Sequence, residues 1–256
     1  MKRDETQSLA QDIAVQRSLR RIFRIDNNQE FTMKTRILNS VYAALLAAGL
    51  VACGGGDEAP APLMTVDAIG ASTIQAATLS STVASYPISA LSTAAADSLA
   101  FMREEEQLAH DVYAMSSSLW PQPVFSNITE SEATHSAAIK VLLDRYQQPD
   151  PLAGLPNGTF KTPAFQALYN SLVTTSRISL IEALKVGVEI EELDIRDINA
   201  QMVHIDNADI LLVYSNLVSA SANHLRAFMA VLTKNGGTYV PKYITQAEFD
   251  AIINAK

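Results

Sequence analysis

The chain has 256 residues, rich in Ala, Leu and Ile and poor in aromatics, with a formal net charge of −8 and one cysteine. That length supports one or two domains with a real core, and a lone thiol excludes a disulfide framework or any multi-thiolate zinc or iron–sulfur site. Residues 1–52 carry eight Lys/Arg against five Asp/Glu, whereas residues 53–256 carry eleven against twenty-two, a balance that argues against a nucleic-acid partner.

Residues 1–32 read as a non-native or upstream extension, because a second start stands at Met33. Met33-Lys34-Thr35-Arg36 is a short basic region, and the apolar run from Ile37 to Ala52 ends in Leu50-Val51-Ala52-Cys53. This pattern over 33–52 describes a secretory signal, too short for a spanning helix of about 20 residues. Leu-Val-Ala-Cys resembles the lipobox of bacterial lipoproteins, which implies lipidation at Cys53 and a membrane partner through that anchor. With Gly54 rather than Asp next, the resemblance implies a bacterial cell envelope location, lipid-anchored in the outer membrane and facing the periplasm. Residues 53–89 are Gly-, Ala-, Ser-, Thr- and Pro-rich and are expected to be a flexible tether, since they offer too little apolar surface to offset ordering entropy.

From residue 90 to 256 the pattern is all-α. The first long helix is expected over Ala94–Ser118, stopped by Pro121 and Pro123. Two stripes compete for its core face: Phe101, Glu105, Leu108, Val112, Met115, Leu119, and Met102, Glu106, Ala109, Tyr113. Either way a carboxylate interrupts an apolar face, while Glu104 reads as solvated. The second helix, Ser126–Gln147, places Ile128, Glu132, His135, Ile139, Leu142 and Tyr146 on one stripe. Inward-facing Glu-x-x-His is the ligand pattern of di-iron and di-manganese carboxylate bundles. The same Glu132 also completes a capping-box pattern, Thr129-x-x-Glu132, in which it would serve only the helix start.

A connection from Gln148 to Thr162 and a short helix over Ala164–Thr175 read as a long crossover between helices two and three. Ser179-x-x-Glu182 opens the third long helix, whose stripe is Ile181, Leu184, Val188, Glu191, Ile195, Ile198. Asp194 lies one turn on from Glu191, Glu189 and Glu192 read as solvated flanks, and Gly187 marks a close approach of another helix. Asn207 is expected to cap the fourth helix, which carries Ile210, Tyr214, Leu217, Ser221, His224 and Phe228 and ends near Asn235-Gly236-Gly237. A short last helix follows the capping box Thr245-x-x-Glu248.

Every long helix thus shows an apolar stripe broken by acids or imidazoles and by little else. Several carboxylates in one interior cannot all stay ionised unaided. A pair of divalent cations would neutralise them, and mixed carboxylate–imidazole donors suit iron or manganese, with zinc as a further option.

The order Glu, Glu-x-x-His, crossover, Glu, His resembles the ferritin-like di-iron bundles, and Glu106-x-x-Ala109-x-x-x-Tyr113 is similar to the first-helix signature of rubrerythrins. Ala109-His110-Asp111-Val112-Tyr113, the Ser131-Glu132-x-x-His135 run, Ile190-Glu191-Glu192-Leu193-Asp194-Ile195 and the run Asn223–Phe228 resemble one ferritin-like family of bacteria and archaea catalogued as a domain of unknown function. The resemblance covers about residues 90–250. It implies a ferritin-like four-helix bundle with short accessory helices and two iron ions held by Glu106, Glu132, His135, Glu191, Asp194 and His224. Tyr113 and Tyr146 lie a turn or two from those ligands, where each is expected either to donate a hydrogen bond to them or simply to pack the core. Ser221 stands where the family pattern places a second Glu-x-x-His glutamate; either Asp194 fills that gap or the site is asymmetric or holds a single metal.

The implied activity is oxidation of ferrous iron or reduction of oxygen or peroxide, with no catalytic residue beyond the metal ligands and no organic cofactor. Such an oxidase or peroxidase takes a small-molecule oxidant or ferrous iron as its partner, and a second copy of the chain is a candidate homodimer partner. The alternative expectation is a non-catalytic helical envelope lipoprotein, with a structural metal or none, acting as a binding or scaffold module.

Overall fold

A computed structural model describes residues 62–67 and 70–255 of the chain. The expected extension, the signal, Cys53 and residues 54–61 of the expected tether lie outside the described residues. The remainder begins with an antiparallel hairpin, β1 (Met64–Val66) and β2 (Ser72–Ile74), and then α1 (Ala76–Ser85). Four long helices follow, α2 (Thr93–Leu119), α3 (Pro123–Arg145), α5 (Leu180–Met202) and α6 (Ala208–Lys234). The shorter α4 (Pro163–Ser176) and α7 (Gln246–Asn254) complete the order. Most of the described residues are helical, in line with the all-α expectation, but the hairpin and α1 replace the expected tether over residues 62–85.

Local chemistry sets the boundaries. Ser92 caps α2 by accepting the Ala95 amide, and α2 ends at Trp120, next to Pro121. The α3 helix starts at Pro123, whose missing N–H is an orphan in any first turn. Its start three residues earlier than expected puts Thr129 in mid-helix, where its hydroxyl bonds the Phe125 carbonyl. The Thr129–Glu132 capping box therefore does not exist, and Glu132 is free for the interior. Ser179 caps α5 by accepting the Glu182 amide, and Thr245 with Glu248 forms a complete capping box on α7.

The long helices pack as two pairs, α2 with α3 and α5 with α6, joined where α3 meets α6 and α2 meets α5. The α4 helix contacts α2 and α5. Each expected inward stripe of α3 and α6 is buried along its length, including Ile128, Ile139, Leu142, Ile210, Tyr214, Leu217 and Phe228. A Cβ built on Gly187 would lie 2.5 Å from the Phe228 ring, so α5 and α6 touch there only because residue 187 has no side chain. Any larger residue would push the helices apart.

Two acids expected in solvent are instead buried and bonded. Glu104 accepts the Thr162 amide at 2.9 Å and the Thr162 hydroxyl at 2.5 Å, fixing the start of α4 against α2. Glu192 accepts the Tyr239 hydroxyl and the backbone amides of Lys242, Tyr243 and Ile244, which ties the C-terminal segment to α5. Glu189, half-buried beside it, binds Lys242 and the Tyr243 hydroxyl.

Candidate metal centre

At mid-height of the four long helices, the interruptions of the apolar stripes meet. Glu132, His135 and His224 each offer one ligand atom, and these atoms all lie within 4.8 Å of one another. Glu132 stands between the rings: its Oε2 is 3.0 Å from His135 Nδ1 and its Oε1 is 2.8 Å from His224 Nδ1. On one side Glu106 Oε2 approaches His135 Nδ1 at 3.4 Å; on the other Glu191 Oε2 approaches His224 Nδ1 at 3.4 Å. The rings are nearly parallel, with centroids 5.4 Å apart. Glu132 thus stands between two acid–imidazole pairs, Glu106 with His135 and Glu191 with His224. All of these side chains are buried.

The expected donors divide. The Tyr113 hydroxyl donates to Glu191 Oε1 at 2.7 Å and lies 3.3 Å from the Gly187 carbonyl, so it belongs to the cluster. Tyr146 does not: its hydroxyl donates to the Asp209 carboxylate at 2.8 Å and accepts from Asn207, holding the start of α6. Tyr146 sits at the C-terminal end of α3, three turns beyond His135, and the stripe that buries it carries it away from the ligands. Ser221 is buried and donates to the Leu217 carbonyl of its own helix, a bond that keeps its hydroxyl on the α6 backbone.

Sequence reasoning left the choice between Glu105 and Glu106 to a resemblance. Glu106 faces His135, yet Glu105 is buried as well, with its Oε2 unbonded, beside Asp197 and Arg196. Asp194 is buried, neither of its oxygens has a hydrogen-bond partner, and the charges of Glu105, Glu106, Glu191 and Glu132 act on it. Ser72 was missed altogether. Its backbone amide donates to Ser131 Oγ at 3.0 Å and lies 3.3 Å from His224 Nε2. No side-chain signal marks a main-chain donor, so nothing in the residue pattern announces it.

Proton affinities follow from this crowding. Burial pushes the Glu106 carboxyl up to about 8, against the opposing pull of His135. Burial also raises Glu191, with His224 opposing, and lifts Asp194 well above the usual carboxylate range, helped by its four acidic neighbours. Glu132 goes the other way: burial disfavours its charge, but His135 and His224 together outweigh it and hold it below the usual range. Burial likewise works against the charged imidazoles, and the facing carboxylates hold His135 up at about 10 and His224 at about 9. Desolvation and the Glu191 charge raise the Tyr113 phenol well above its ordinary value.

Whether this pocket fits a cation is decided by its unpaired atoms. Glu106 Oε1, Glu132 Oε1, Glu191 Oε2, both Asp194 oxygens and His224 Nδ1 are buried without a hydrogen-bond partner. The 2.8 Å approach of Glu132 Oε1 to His224 Nδ1 lacks hydrogen-bond geometry. Buried polar atoms are nearly always paired, and each orphan carries a cost of about 1–3 kcal/mol. These six unpaired oxygen and nitrogen atoms come from four helices, and their chemistry is of the kind that fits a cation. Four carboxylates and two neutral imidazoles match the charge of two divalent ions, and oxygen–nitrogen donors of this kind suit iron, manganese or zinc.

Comparison with known proteins places the chain in a family. Residues 95–256 match the family described as an uncharacterized protein domain (DUF2202). The uncharacterized protein MJ0754 of the archaeon Methanocaldococcus jannaschii is 43% identical over 173 residues, 68% of this chain and 94% of its own length. The crystal structure of hypothetical protein MJ0754 superposes with a TM-score of 0.65, covering 66% of this chain and 97% of that one. The chain belongs to the DUF2202 family. The archaeal relative also corrects the expected localisation: an archaeon of this kind has neither outer membrane nor periplasm, so an outer-membrane, periplasm-facing placement does not stand.

Proposed function

We propose that this DUF2202 protein is a ferritin-like four-helix bundle that binds two divalent metal ions and uses them to oxidise ferrous iron or to reduce oxygen or peroxide. The observation that carries the reading is the ring of buried, donor-less oxygens and nitrogens around Glu132. Glu106 and His135 would hold one ion, Glu191 and His224 the other, and Glu132 both, with Asp194 as the sixth ligand. Iron is the first candidate by donor chemistry, ahead of manganese and zinc. Bound as a pair, such ions share the charge that develops when an O–O bond is reduced.

The chain's own contribution is orientation and exclusion of water. Tyr113 holds a proton against Glu191 Oε1 and fixes the direction of that carboxylate. Phe125, Phe228, Ile128 and Ile139 wall off the interior, which strengthens every charge interaction within it. The one cysteine cannot build a rubredoxin-like centre, so reducing electrons would have to arrive from outside the domain.

Elemental analysis of the purified full-length protein tests the reading. About two metal ions per chain are expected, as in other carboxylate bundles, falling to near zero in Glu132→Ala. Ferrous loading followed by peroxide should then give a ferric absorption band. A chain that retains no metal after ferrous, manganous or zinc loading sinks the proposal.

A second reading has its own support. The Glu132–His135 hydrogen bond and the 2.8 Å approach of Glu132 Oε1 to His224 Nδ1 suit a metal-free ion-pair cluster that only braces four helices. Normal folding and no metal uptake are the results that reading requires.

A further inference from the structure

The β1–β2 hairpin lies N-terminal to the residues matched by the family. Its docking is nevertheless specific. The backbone amides of Asp67 and Gln75 serve the hairpin itself, bonding the Ala71 and Leu63 carbonyls at 2.9 Å. That leaves the Ser72 and Ile74 amides on the outer edge of β2, where an unpaired strand edge requires a partner. The α3 helix supplies it: Ser72 N–H donates to Ser131 Oγ at 3.0 Å and Ile74 N–H to Thr134 Oγ1 at 3.1 Å. Both hydroxyls spend their own protons on α3 carbonyls, Asn127 for Ser131 and Ser131 for Thr134, so a lone pair is left for the strand. One helical turn of hydroxyl spacing thus matches the two-residue step of a strand edge.

The same strand is stitched to α6. Asn223 Nδ2 reaches Ser72 Oγ at 3.4 Å, and the Ser72 amide lies 3.3 Å from His224 Nε2. Gly70, at φ +88°, sits so near α6 that an added Cβ would lie 3.1 Å from Ala227 Cβ and the Asn223 carbonyl. Ser72 is fully buried and Ile74 nearly so. The hairpin therefore covers the α3–α6 seam at the level where Glu132, His135 and His224 meet.

We propose that the β1–β2 hairpin is a clasp that positions His224 and seals the histidine cluster from solvent, with the Ser72 main-chain amide as its point of contact. Ser72 is a positioning residue: its buried backbone, anchored on Ser131 Oγ, packs against the Nε2 edge of His224 and limits how far that ring can turn. The seal is a property of the folded chain whether or not metal binds. Its consequence for metal retention rests on the proposed function.

The test uses the full-length chain and three variants. Ser72→Pro deletes the amide proton, Gly70→Val forces the turn away from α6, and Ser131→Ala removes only the acceptor on α3. Diethylpyrocarbonate labelling, mapped by peptide mass, reads access to each imidazole, and the exposed His204 is the internal standard. In the wild type His224 should be protected. In Ser72→Pro and Gly70→Val it should label at least about ten-fold faster while far-UV circular dichroism is unchanged, the signature of local rather than global opening. Ser131→Ala should give the same direction with a smaller increase. His224 protection equal to wild type in all three variants overturns the clasp. Cobalt(II) release into a chelator is the second measurement, and it should be faster in the same variants. Failure of the wild type to take up cobalt would count against the metal site, and the labelling would still decide the clasp.

Discussion

Two sets of buried carboxylates share this interior and differ in one respect, the supply of donors. Glu104, Asp111, Glu192 and Asp209 are each met by amides, hydroxyls or cationic side chains. Asp111 accepts from Gly158 N, Gln107 and His110; Asp209 accepts from Arg145 at 2.8 Å and from Tyr146. Glu106, Glu132, Glu191 and Asp194 are as deeply buried, yet each has at least one oxygen without a partner. The first set pins segment ends: the starts of α4 and α6, the loop at Gly158 and the C-terminal run. The second set pins nothing visible. Burial of an acid therefore does not single out the proposed ligands. What separates them from the first set is buried oxygen without a donor, a desolvation cost that a bound cation would offset. Glu105 Oε2 shares that feature beside Asp197 and Arg196.

The contrast predicts opposite responses to substitution. The largest loss should come from Asp209→Ala, which leaves the Arg145 guanidinium, 13% exposed, without its carboxylate and the Tyr146 hydroxyl proton without an acceptor. Breaking such a buried pair costs about 3–5 kcal/mol, measurable by urea unfolding, with metal content per folded chain unchanged. Glu192→Ala should be next, at about 2–3 kcal/mol, since it strands three backbone amides and a tyrosine hydroxyl. Limited proteolysis should then cut the segment after Gly237 first. A stability change below about 0.5 kcal/mol in either variant would break the distinction between the two sets.

Proton linkage separates them further. In chelator-treated protein, Glu106 titrates near 8, His224 near 9 and His135 near 10, all above their ordinary values. A group whose folded value is raised binds its proton more tightly when folded. Its stabilisation is complete below the unfolded value and is lost as pH rises through the folded one. Metal-free protein should therefore lose thermal stability from about pH 5, where the Glu106 share starts to go, to about pH 10, where the His135 share is spent. Glu132, held low, contributes the reverse and loses its share only in acid. Cobalt or zinc should flatten the alkaline slope, because the cation takes the place of those protons. Melting curves across that range, with and without metal, check both halves.

How much of this was legible in the residues depended on who supplies the partner. The stripes through Ile128, Glu132, His135, Ile139 and through Tyr214, Leu217, His224, Phe228 repeat at helical period, so their inward facing and the convergence of their acids and imidazoles could be read directly. Gly187 was legible for the same reason, as a gap in a periodic surface. Glu104 and Glu192 were not. Their donors lie 58 and about 50 residues further along the chain, and a charge flanking a stripe looks solvated until that loop arrives. The hairpin was least legible of all. It docks through the Ser72 and Ile74 amides, which every residue but proline carries, and a run of Ser, Thr and Ala gives no periodic signal. Tyr146 shows the converse error: it shares the stripe of His135 but lies too far along α3 to share its site.

The smallest expected effect is the most discriminating. Asp194→Asn keeps the shape of a side chain whose two oxygens touch no donor and whose carboxyl is raised well above its ordinary value by burial and then by four acidic neighbours. Burial first, and those four acids after it, favour the uncharged carboxyl in metal-free protein, and the neutral amide imitates that form. Unfolding of chelator-treated Asp194→Asn should match wild type within about 1 kcal/mol, because no buried pair is broken. Isothermal titration with cobalt should at the same time show a clear loss of affinity, since an amide oxygen cannot balance the charge of a cation. A substitution silent for the fold and costly for the ion is what a ligand without a structural duty requires. If Asp194→Asn instead unfolds as readily as Asp209→Ala and binds cobalt like the wild type, Asp194 belongs with the acids that pin the fold, and the proposed site loses its second carboxylate from α5.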